Sequence, residues 1–242
     1  MKKKVTPYKD SDLAKKQQVS RMFDKISDGY DNLNRVISLG MDKSWRKKVI
    51  NSIYNHQPEN VLDIATGTGD LVISLAEKGL DNIVGLDLSN GMLEVARKKV
   101  KDKNLEKQIE LVQGDSENLP YEEDYFDAIT VAFGVRNFED LEKGLGEIFR
   151  VLKPGGLFIV LETAVPRKFP FKQGYIFYTK YILPTIGKIF SKDKSAYGYL
   201  SESASVFPNG EDFNNILRKI GFTNVEDKPQ TMGVASIYKS SK

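Results

Sequence analysis

The amino-acid sequence predicts an α/β fold with a mostly parallel sheet of seven strands and helices on both faces. Between residues 61 and 161, five short apolar runs alternate with segments of helical character. Strands joined by helices run parallel, and strands that are apolar throughout are covered on both faces. Two further runs near the carboxyl end predict an antiparallel pair that closes the sheet.

The predicted elements follow in order along the chain. Apolar residues recur at spacings of three and four before residue 57, so this part predicts helices. Strands are predicted at 61–64, 83–86, 109–112, 128–133, 157–161, 224–227 and 234–238, and helices at 71–78, 92–100, 141–152 and 211–220. Lys153-Pro154-Gly155-Gly156 stops the helix before the fifth strand. We therefore expect an N-terminal helical cap (1–57), a cofactor-binding α/β core (58–166), an aromatic-rich insertion (167–210) and a C-terminal helix with closing strands (211–242).

The composition excludes several classes of site and partner. The 242 residues contain no cysteine and one histidine, which excludes disulfides and thiolate chemistry and leaves almost no basis for a metal site. The net charge of +3 is too small to indicate nucleic acid. No run of eighteen apolar residues occurs, and the lysines after Met1 are not followed by the apolar stretch of a signal peptide. We expect a cytoplasmic protein.

A glycine-containing turn, Asp63-Ile64-Ala65-Thr66-Gly67-Thr68-Gly69-Asp70, follows the first strand. There the strand end and the next helix present backbone N–H groups to a ligand. Gly67 and Gly69 let that ligand approach the backbone, and Thr68 adds a hydroxyl donor. Asp87 ends the second strand, where an acid accepts hydrogen bonds from a ribose diol.

Three ligands compete for this turn. A nicotinamide dinucleotide favours a third glycine where this chain has Val72, and a P-loop needs a Gly-Lys-Ser/Thr that is missing. S-adenosylmethionine remains, because the turn and Asp87 are similar to the pattern of its methyltransferases, with Ala65 in place of one glycine. Asp115 and Ser116, after the third strand, resemble the groups that read the adenine amine in such enzymes; a solvated loop acid is the alternative for Asp115.

Longer motifs resemble one family. They are Tyr30-Asp31-Asn32-Leu33-Asn34-Arg35-Val36-Ile37-Ser38 with Trp45, Phe133-Gly134-Val135-Arg136-Asn137, Arg150 to Gly156 followed by Glu162, and Tyr199-Leu200-Ser201-Glu202-Ser203 with Phe207-Pro208. Together, over residues 15–240, they resemble the menaquinone/ubiquinone biosynthesis C-methyltransferase family. The chain departs from the family at Asp42, Ala132 and Ala164, where histidine, serine and serine are frequent.

The resemblance implies a Rossmann-like class I methyltransferase fold with S-adenosylmethionine as its cofactor. It implies methylation of a polyprenylated quinol at a ring carbon, with demethylmenaquinol the expected substrate and the benzoquinol step of ubiquinone biosynthesis the alternative. Another small-molecule methyltransferase acting on oxygen or nitrogen shares the cofactor residues, and an RNA methyltransferase is disfavoured by the mild charge. Peripheral contact with the inner face of the membrane and a homodimer stay open.

Three residues are candidates for the chemistry. Carbon methylation needs a ring hydroxyl to lose its proton. If the pKa of that hydroxyl is phenol-like, ~10, ionising it at neutral pH costs ~4 kcal/mol, which the enzyme must offset. We expect Arg136 to stabilise the developing quinolate, with Asn137 and Tyr30 positioning the hydroxyl or a water. The alternatives are a surface ion pair of Arg136 with Glu139 or Asp140, and a core position for Tyr30.

The aromatic insertion predicts a substrate lid. Apolar residues form a helical stripe, and lysines surround it: Phe171, Tyr175, Tyr178, Ile182, Ile186, Ile189, with Lys172, Lys180 and Lys188. We expect residues 169–190 to admit a prenyl tail and to rest on the membrane surface, although packing against the protein's own core explains the stripe equally simply.

Overall fold

The structure is a computed structural model and describes residues 5–182 and 194–242. The N-terminal part holds α1 (Lys15–Ile26), α2 (Tyr30–Ile37) and α3 (Met41–His56). The central part holds β1 (Val61–Ile64), α4 (Asp70–Glu77), β2 (Ile83–Asp87), α5 (Asn90–Asp102), β3 (Ile109–Gln113), β4 (Phe126–Ala132), α6 (Leu141–Val151) and β5 (Leu152–Thr163). The last part holds α7 (Phe171–Phe177), a π-helical turn (Tyr178–Ile182), α8 (Lys194–Val206), α9 (Glu211–Ile220), β6 (Thr223–Gln230) and β7 (Ala235–Ser241).

The strands form one sheet in the order β3-β2-β1-β4-β5-β7-β6. Strands β1 to β5 run parallel, and β7 lies antiparallel between β5 and β6. The predicted fold class is therefore confirmed. Because the chain winds outward in opposite directions from β1 and β4, a crevice opens at the carboxyl ends of these two strands, which is where α/β sheets bind ligands.

Each face of the sheet is covered by helices that contribute their apolar stripe to a core. On one face α3 and α4 contribute Trp45, Val49, Leu71 and Leu75, all of them buried. On the other face α6 and α9 contribute Leu145, Ile148, Phe213 and Leu217, which are also buried. Burying a side chain of this size stabilises the fold by about 1.5–3 kcal/mol, so the two cores hold the crevice in a fixed shape.

The fifth strand begins earlier than the sequence predicts. Helix α6 ends at Val151, as the proline and glycines require, but β5 starts directly at Leu152 and runs through them. Its pairing with β4 shifts between Phe126 and Ala128, and Gly155 has a left-handed φ of 76°. Phe126 pairs with Leu152 and Ala128 with Leu157, so residues 153–156 have no partner on β4. An irregularity in the strand therefore takes up the proline and the glycines that stop the helix.

The insertion is helical where the structure describes it. Helix α7 passes into the π-helical turn, and α8 follows after the gap. Ile186, Ile189 and Lys188 of the predicted stripe lie outside the described residues. None of the helices within 5–182 and 194–242 is both long enough and apolar enough to cross a membrane.

Candidate active site

Two adjoining cavities lie at the carboxyl edge of the sheet. The first cavity is bounded by the glycine turn after β1, the ends of β2 and β3 and the loop after β4, with α1 and α2 above it. The second cavity lies between α2, α3, α7 and α8. The predicted cofactor residues Gly67, Thr68, Asp87, Asp115 and Ser116 all line the first cavity.

The glycine turn is held in shape by Asp87. The backbone N–H of Gly67 donates to Asp87 Oδ2 at 2.8 Å, and the N–H of Ser89 donates to Oδ1 at 2.8 Å. Each carboxylate oxygen keeps a further lone pair for a ligand hydroxyl. Burial raises the pKa of Asp87 to about 6, and these backbone N–H groups limit the rise by stabilising the ionised form.

Gly69 differs from the other predicted cofactor residues. It has a φ of 80° at the start of α4, and a Cβ at this position would lie 3.1 Å from the Cβ of Ala96 in α5. It is absent from the lining of the first cavity. The structure thus gives Gly69 a role in close packing of the turn against α5, and its predicted contact with a cofactor has no counterpart in the cavity.

Ala65 takes the position where the related glycine pattern has its first glycine. Its φ is 55°, a left-handed conformation that costs a residue with a Cβ roughly 1–2 kcal/mol. Phe133, after the neighbouring strand β4, has a φ of 59°. Two adjacent strands therefore end in a left-handed residue, and Gly134 has no room for a Cβ, which would lie 2.4 Å from the Cβ of Ala65. Such tight turns concentrate at functional sites.

The far end of the first cavity carries an ion pair. Lys16 Nζ in α1 lies 2.7 Å from Asp115 Oδ2. Although burial acts to raise it, the hydrogen bond from Lys16 leaves the pKa of Asp115 below its ordinary value. Asp115 Oδ1 also accepts from the N–H of Glu117 at 2.9 Å. Asp115 is therefore an ion-paired residue at the cavity wall, and a solvated loop acid does not describe it.

The N-terminal helices are fastened over the glycine turn. Thr68 Oγ1 donates to Asp31 Oδ1 in α2 at 2.5 Å, so its hydroxyl proton is used within the protein. Lys99 of α5 forms ion pairs with Asp31 and with Asp70, the latter at 2.7 Å. Asp24 of α1 accepts from Ser89 Oγ at 2.6 Å, which fixes α1 at the start of α5. These contacts have no local signal in the sequence, since they join distant segments.

The second cavity is large and mainly apolar, with a volume of about 530 Å³. This is within the range of sites that enclose a small organic molecule. Its lining includes aromatic and aliphatic side chains from the cap and the insertion: Ile37, Leu39, Met41, Trp45, Phe171, Tyr175, Tyr178, Leu200 and Val234. The inner part of the predicted stripe therefore faces this cavity.

Tyr30, Arg46 and Phe133 line both cavities and form their boundary. The Tyr30 ring packs edge-on against Phe23, with 5.7 Å between ring centroids. Burial raises the pKa of the Tyr30 hydroxyl, and its hydrogen bond with Asn34 and the charge of Arg136 oppose the rise. Tyr30 thus lies at the junction and also packs against the core cluster that contains Met22 and Ile26, so its ring has the predicted alternative of a core contact as well.

Arg136 is buried, and its partner is Glu162 at the end of β5. Its guanidinium also donates to the carbonyl oxygen of Phe133 at 3.0 Å. Arg136 lines the second cavity, while its Nε and Glu162 Oε2 are buried without a hydrogen-bond partner. The alternative of a surface pair with Glu139 or Asp140 is therefore wrong, because the side chain turns inward to a buried carboxylate.

Asn137 faces the first cavity, and thus lies apart from its neighbour Arg136. Its Oδ1 accepts from the hydroxyl of Tyr199 at 3.0 Å. Tyr199 is buried in α8, so this bond ties the insertion to the loop after β4. The sequence predicts Arg136 at the quinolate, with Asn137 positioning the hydroxyl or a water. In the short 3-10 turn Val135–Asn137, however, Arg136 lines the second cavity and Asn137 the first.

Comparison with known proteins identifies the family. Residues 11–242 match the model of the ubiE/COQ5 methyltransferase family. The chain belongs to this family. A demethylmenaquinone methyltransferase of Bacteroides fragilis is 44% identical over 240 residues, which cover 99% of this chain and 98% of that protein. A demethylmenaquinone methyltransferase of Bacillus cereus is 43% identical over 231 residues, 95% of this chain and 97% of that protein.

Solved structures share the fold at low sequence identity. The [4+2]-cyclase SpnF superposes with a TM-score of 0.65 at 17% identity and covers 94% of this chain and 96% of its own. Phosphoethanolamine N-methyltransferase 2 of Haemonchus contortus, solved with S-adenosyl-L-methionine, gives a TM-score of 0.56 at 18% identity, covering 76% of this chain and 48% of its own. At this identity the likeness shows the fold alone, so the family match carries the assignment.

The chain is an S-adenosylmethionine-dependent methyltransferase of this family, and the first cavity has donors and acceptors that fit the cofactor. Asp87 has acceptor capacity for a ribose diol, and the glycine turn leaves open space where Gly67 lacks a Cβ, the nearest atom being Tyr30 Cε1 at 4.0 Å. Asp115 and Ser116 line the cavity one strand further along. The order of these groups along the sheet edge follows the order of adenine and ribose in the cofactor.

Proposed function

We propose that this protein methylates a ring carbon of a polyprenylated quinol, with demethylmenaquinol as substrate and menaquinol as product, in menaquinone biosynthesis. The observation that carries the proposal is the apolar second cavity, which shares Tyr30, Arg46 and Phe133 with the first among the residues that the structure describes. A flat ring in the second cavity would reach this boundary. The relatives named demethylmenaquinone methyltransferase support the naphthoquinol over the benzoquinol.

The protein's part of the chemistry is to hold the ring and stabilise its charge. When bound, the cofactor supplies an electrophilic methyl group on its sulfonium sulfur. The ring carbon becomes nucleophilic once its hydroxyl has lost a proton, and the carbon later gives up its own hydrogen as a proton. We assign to Arg136 the stabilisation of the ring oxygen, since its side chain lines the second cavity and the ion pair with Glu162 holds it there.

The paired carboxylate changes what Arg136 can supply. Glu162 neutralises much of its charge, so the stabilisation is that of an oriented hydrogen-bond donor held by a buried partner, in the range of about 2.7–4 kcal/mol for one oxyanion donor. Tyr30, at the boundary, positions the ring hydroxyl. Asn137 acts from the cofactor side, where Tyr199 fixes its amide.

We propose further that α7 and the π-helical turn contact the membrane surface, from which a polyprenyl quinol must enter. Phe171, Tyr175 and Tyr178 face the second cavity. Other apolar residues nearby are exposed: Phe169 by 79%, Ile176 by 46%, Phe177 by 57% and Tyr181 by 56%. Lys172 and Lys180 on the same segment suit anionic headgroups. Ile182 of the predicted stripe is exposed as well, by 41%, so these residues add to the stripe that the sequence predicted.

The test is a labelled methyl-transfer assay with a panel of acceptors. The purified protein is incubated with methyl-labelled cofactor and, separately, a demethylmenaquinol, a demethylated benzoquinol, a catechol and RNA. We expect label on the ring carbon of the naphthoquinol, identified by mass spectrometry and NMR. Label only on the catechol oxygen or on RNA would contradict the proposal. Preferential label on the benzoquinol would favour the benzoquinol step of ubiquinone biosynthesis instead.

A substitution at the boundary between the two cavities gives a second test of the proposed function. Tyr30→Phe removes one hydroxyl at the junction and is expected to lower turnover about tenfold while cofactor affinity stays within a factor of two, as expected for loss of one neutral hydrogen bond of about 0.5–1.5 kcal/mol. Tyr54→Phe, at an exposed position of α3, is the matched control.

A further inference from the structure

Arg46 is a cation with no assigned role at the boundary of the two cavities. It lies in α3, and its side chain is 17% exposed. Among the described residues no oxygen accepts a hydrogen bond from it, and its Nε is buried without a partner. The closest carboxylate, Asp42 Oδ2, is 3.7 Å from Nε, beyond hydrogen-bond range, and Asp42 Oδ1 accepts from Ser38 Oγ at 2.6 Å.

The charges of the first cavity make such a cation necessary for an anionic group. Its lining contains two cations, Lys16 and Arg46. It also contains six acids: Asp31, Asp70, Asp87, Asp115, Glu117 and Glu139. Lys16 is engaged by Asp115. Lys99, which is outside this lining, pairs with Asp31 and Asp70. The acids of the lining still outnumber its cations, so a carboxylate is placed most favourably beside Arg46 and an ammonium group beside the acids.

The strand order fixes which end of the cofactor meets Arg46. Asp115 follows β3, Asp87 ends β2, the glycine turn follows β1 and Phe133 follows β4, and these strands are neighbours in that order. With strands about 4.8 Å apart, β3 and β4 lie roughly 14 Å apart. If Asp115 meets the adenine and Asp87 the ribose, the amino-acid part passes over the glycine turn towards β4. There Arg46 Cζ lies 5.3 Å from the centroid of the Phe133 ring.

We propose that Arg46 binds the carboxylate of the methionine part of S-adenosylmethionine and thereby orients the methyl group at the boundary. This inference rests on the proposed function and on the cofactor it uses. Phe133 supports the flat face of the guanidinium, so its edge is left to donate to two oxygens. Asp42 keeps the side chain pointing inward, at a distance that leaves the hydrogen-bond donors unused.

The experiment compares two ligands that differ only in this part. S-adenosylhomocysteine carries the amino-acid group, and 5′-methylthioadenosine lacks it. Binding of both is measured by calorimetry on the full chain for the wild type, Arg46→Gln and Arg46→Lys. Arg97→Gln, which removes a cation from the exposed surface of α5, is the matched control. We expect Arg46→Gln to weaken binding of S-adenosylhomocysteine about 10- to 100-fold, with Arg46→Lys losing less and 5′-methylthioadenosine unaffected.

Each other outcome overturns the inference. Equal losses for both ligands would show that Arg46 only supports the shape of the cavity. Unchanged affinity with slower turnover would show that Arg46 acts on the quinolate and not on the cofactor carboxylate. Unchanged affinity and unchanged turnover would show that Arg46 acts on neither group. A wild type that binds neither ligand would instead refute the cofactor assignment itself. If Arg46→Gln fails to fold because Asp42 is left buried and unpaired, Asp42→Asn/Arg46→Gln removes both charges and repeats the comparison.

Discussion

Replacing Asp87 with asparagine should weaken cofactor binding in a way that depends on pH. The two carboxylate oxygens each accept one backbone N–H, from Gly67 and Ser89, and each retains acceptor capacity towards the first cavity. Asparagine keeps one acceptor oxygen and loses the charge. A charge-assisted hydrogen bond is worth about 1.5–3 kcal/mol, so affinity for S-adenosylhomocysteine should fall roughly 10- to 100-fold at pH 8.

The pH dependence follows from the pKa of Asp87, which burial raises to about 6. The ionised carboxylate accepts from ribose hydroxyls, so the wild type should bind fully above this pH and lose affinity as pH falls through about 6. The free energy of unfolding of the unliganded protein should change with pH in the opposite direction. Because the pKa of Asp87 is higher in the folded than in the unfolded state, ionisation of Asp87 lowers this free energy as pH rises from about 4 through 6. The part of both dependences that belongs to Asp87 should be missing in Asp87→Asn.

The assay is calorimetry with S-adenosylhomocysteine at pH values from 5 to 8. Burial raises the pKa of Asp63, below the same turn, to about 7, and the charge of Asp87 adds to this rise. Asp63 should therefore titrate at a lower pH in Asp87→Asn, and the dependence that remains in this variant belongs to Asp63. Asp81→Asn, an exposed acid just before β2, controls for the loss of one charge. A folded Asp87→Asn protein with affinity within twofold of the wild type, or with the same pH profile, would refute the reasoning.

Three further changes test the rest of the site. Arg136→Gln alone should destabilise the fold by about 3–5 kcal/mol, because it leaves Glu162 buried without its ion pair, so the double variant Arg136→Gln/Glu162→Gln is used instead. In this variant turnover should fall ~100-fold while cofactor affinity is kept. Near-normal turnover would show that Arg136 takes no part in the chemistry. Asp31→Asn should release α2 from the glycine turn and raise amide exchange there roughly tenfold, and unchanged exchange would show that the contact carries little energy. Ile176→Asp/Phe177→Asp should abolish binding to anionic vesicles and slow only long-chain quinols; equal losses on short-chain and long-chain quinols would point to misplaced packing.

The sheet was readable from the sequence because its strands carry a local signal. Five apolar runs separated by helices specify a parallel arrangement, and every predicted strand is present within a few residues. The start of β5 was missed, since Pro154 and the glycines stop a helix and give no sign that a bulge continues the ladder. The glycine turn and Asp87 were readable for the same reason, as both lie at ends of predicted strands.

The contacts that complete the site could not be read in this way. Arg136 and Glu162 are far apart in sequence, and only the pairing of β4 with β5 brings the strand ends together. Arg46 lies four residues after Asp42 on a helix, where such a pair is usually a solvated one. Its position depends on how α3 packs on the sheet. Folding of the cap over the turn, through Asp31, likewise has no local signature.

The two cavities are built from different stretches of the chain. The first is lined largely by residues 64–139 together with α1 and α2, and the second mainly by α2, α3 and residues 163–234. This arrangement makes part of the acceptor side exchangeable, because no described residue of the insertion (167–210) lines the first cavity. A chimera that takes this insertion from another member of the family should change which ring is methylated and keep its affinity for the cofactor. Tyr30, Arg46 and Phe133 line both cavities, so a donor insertion would have to be matched to these three residues.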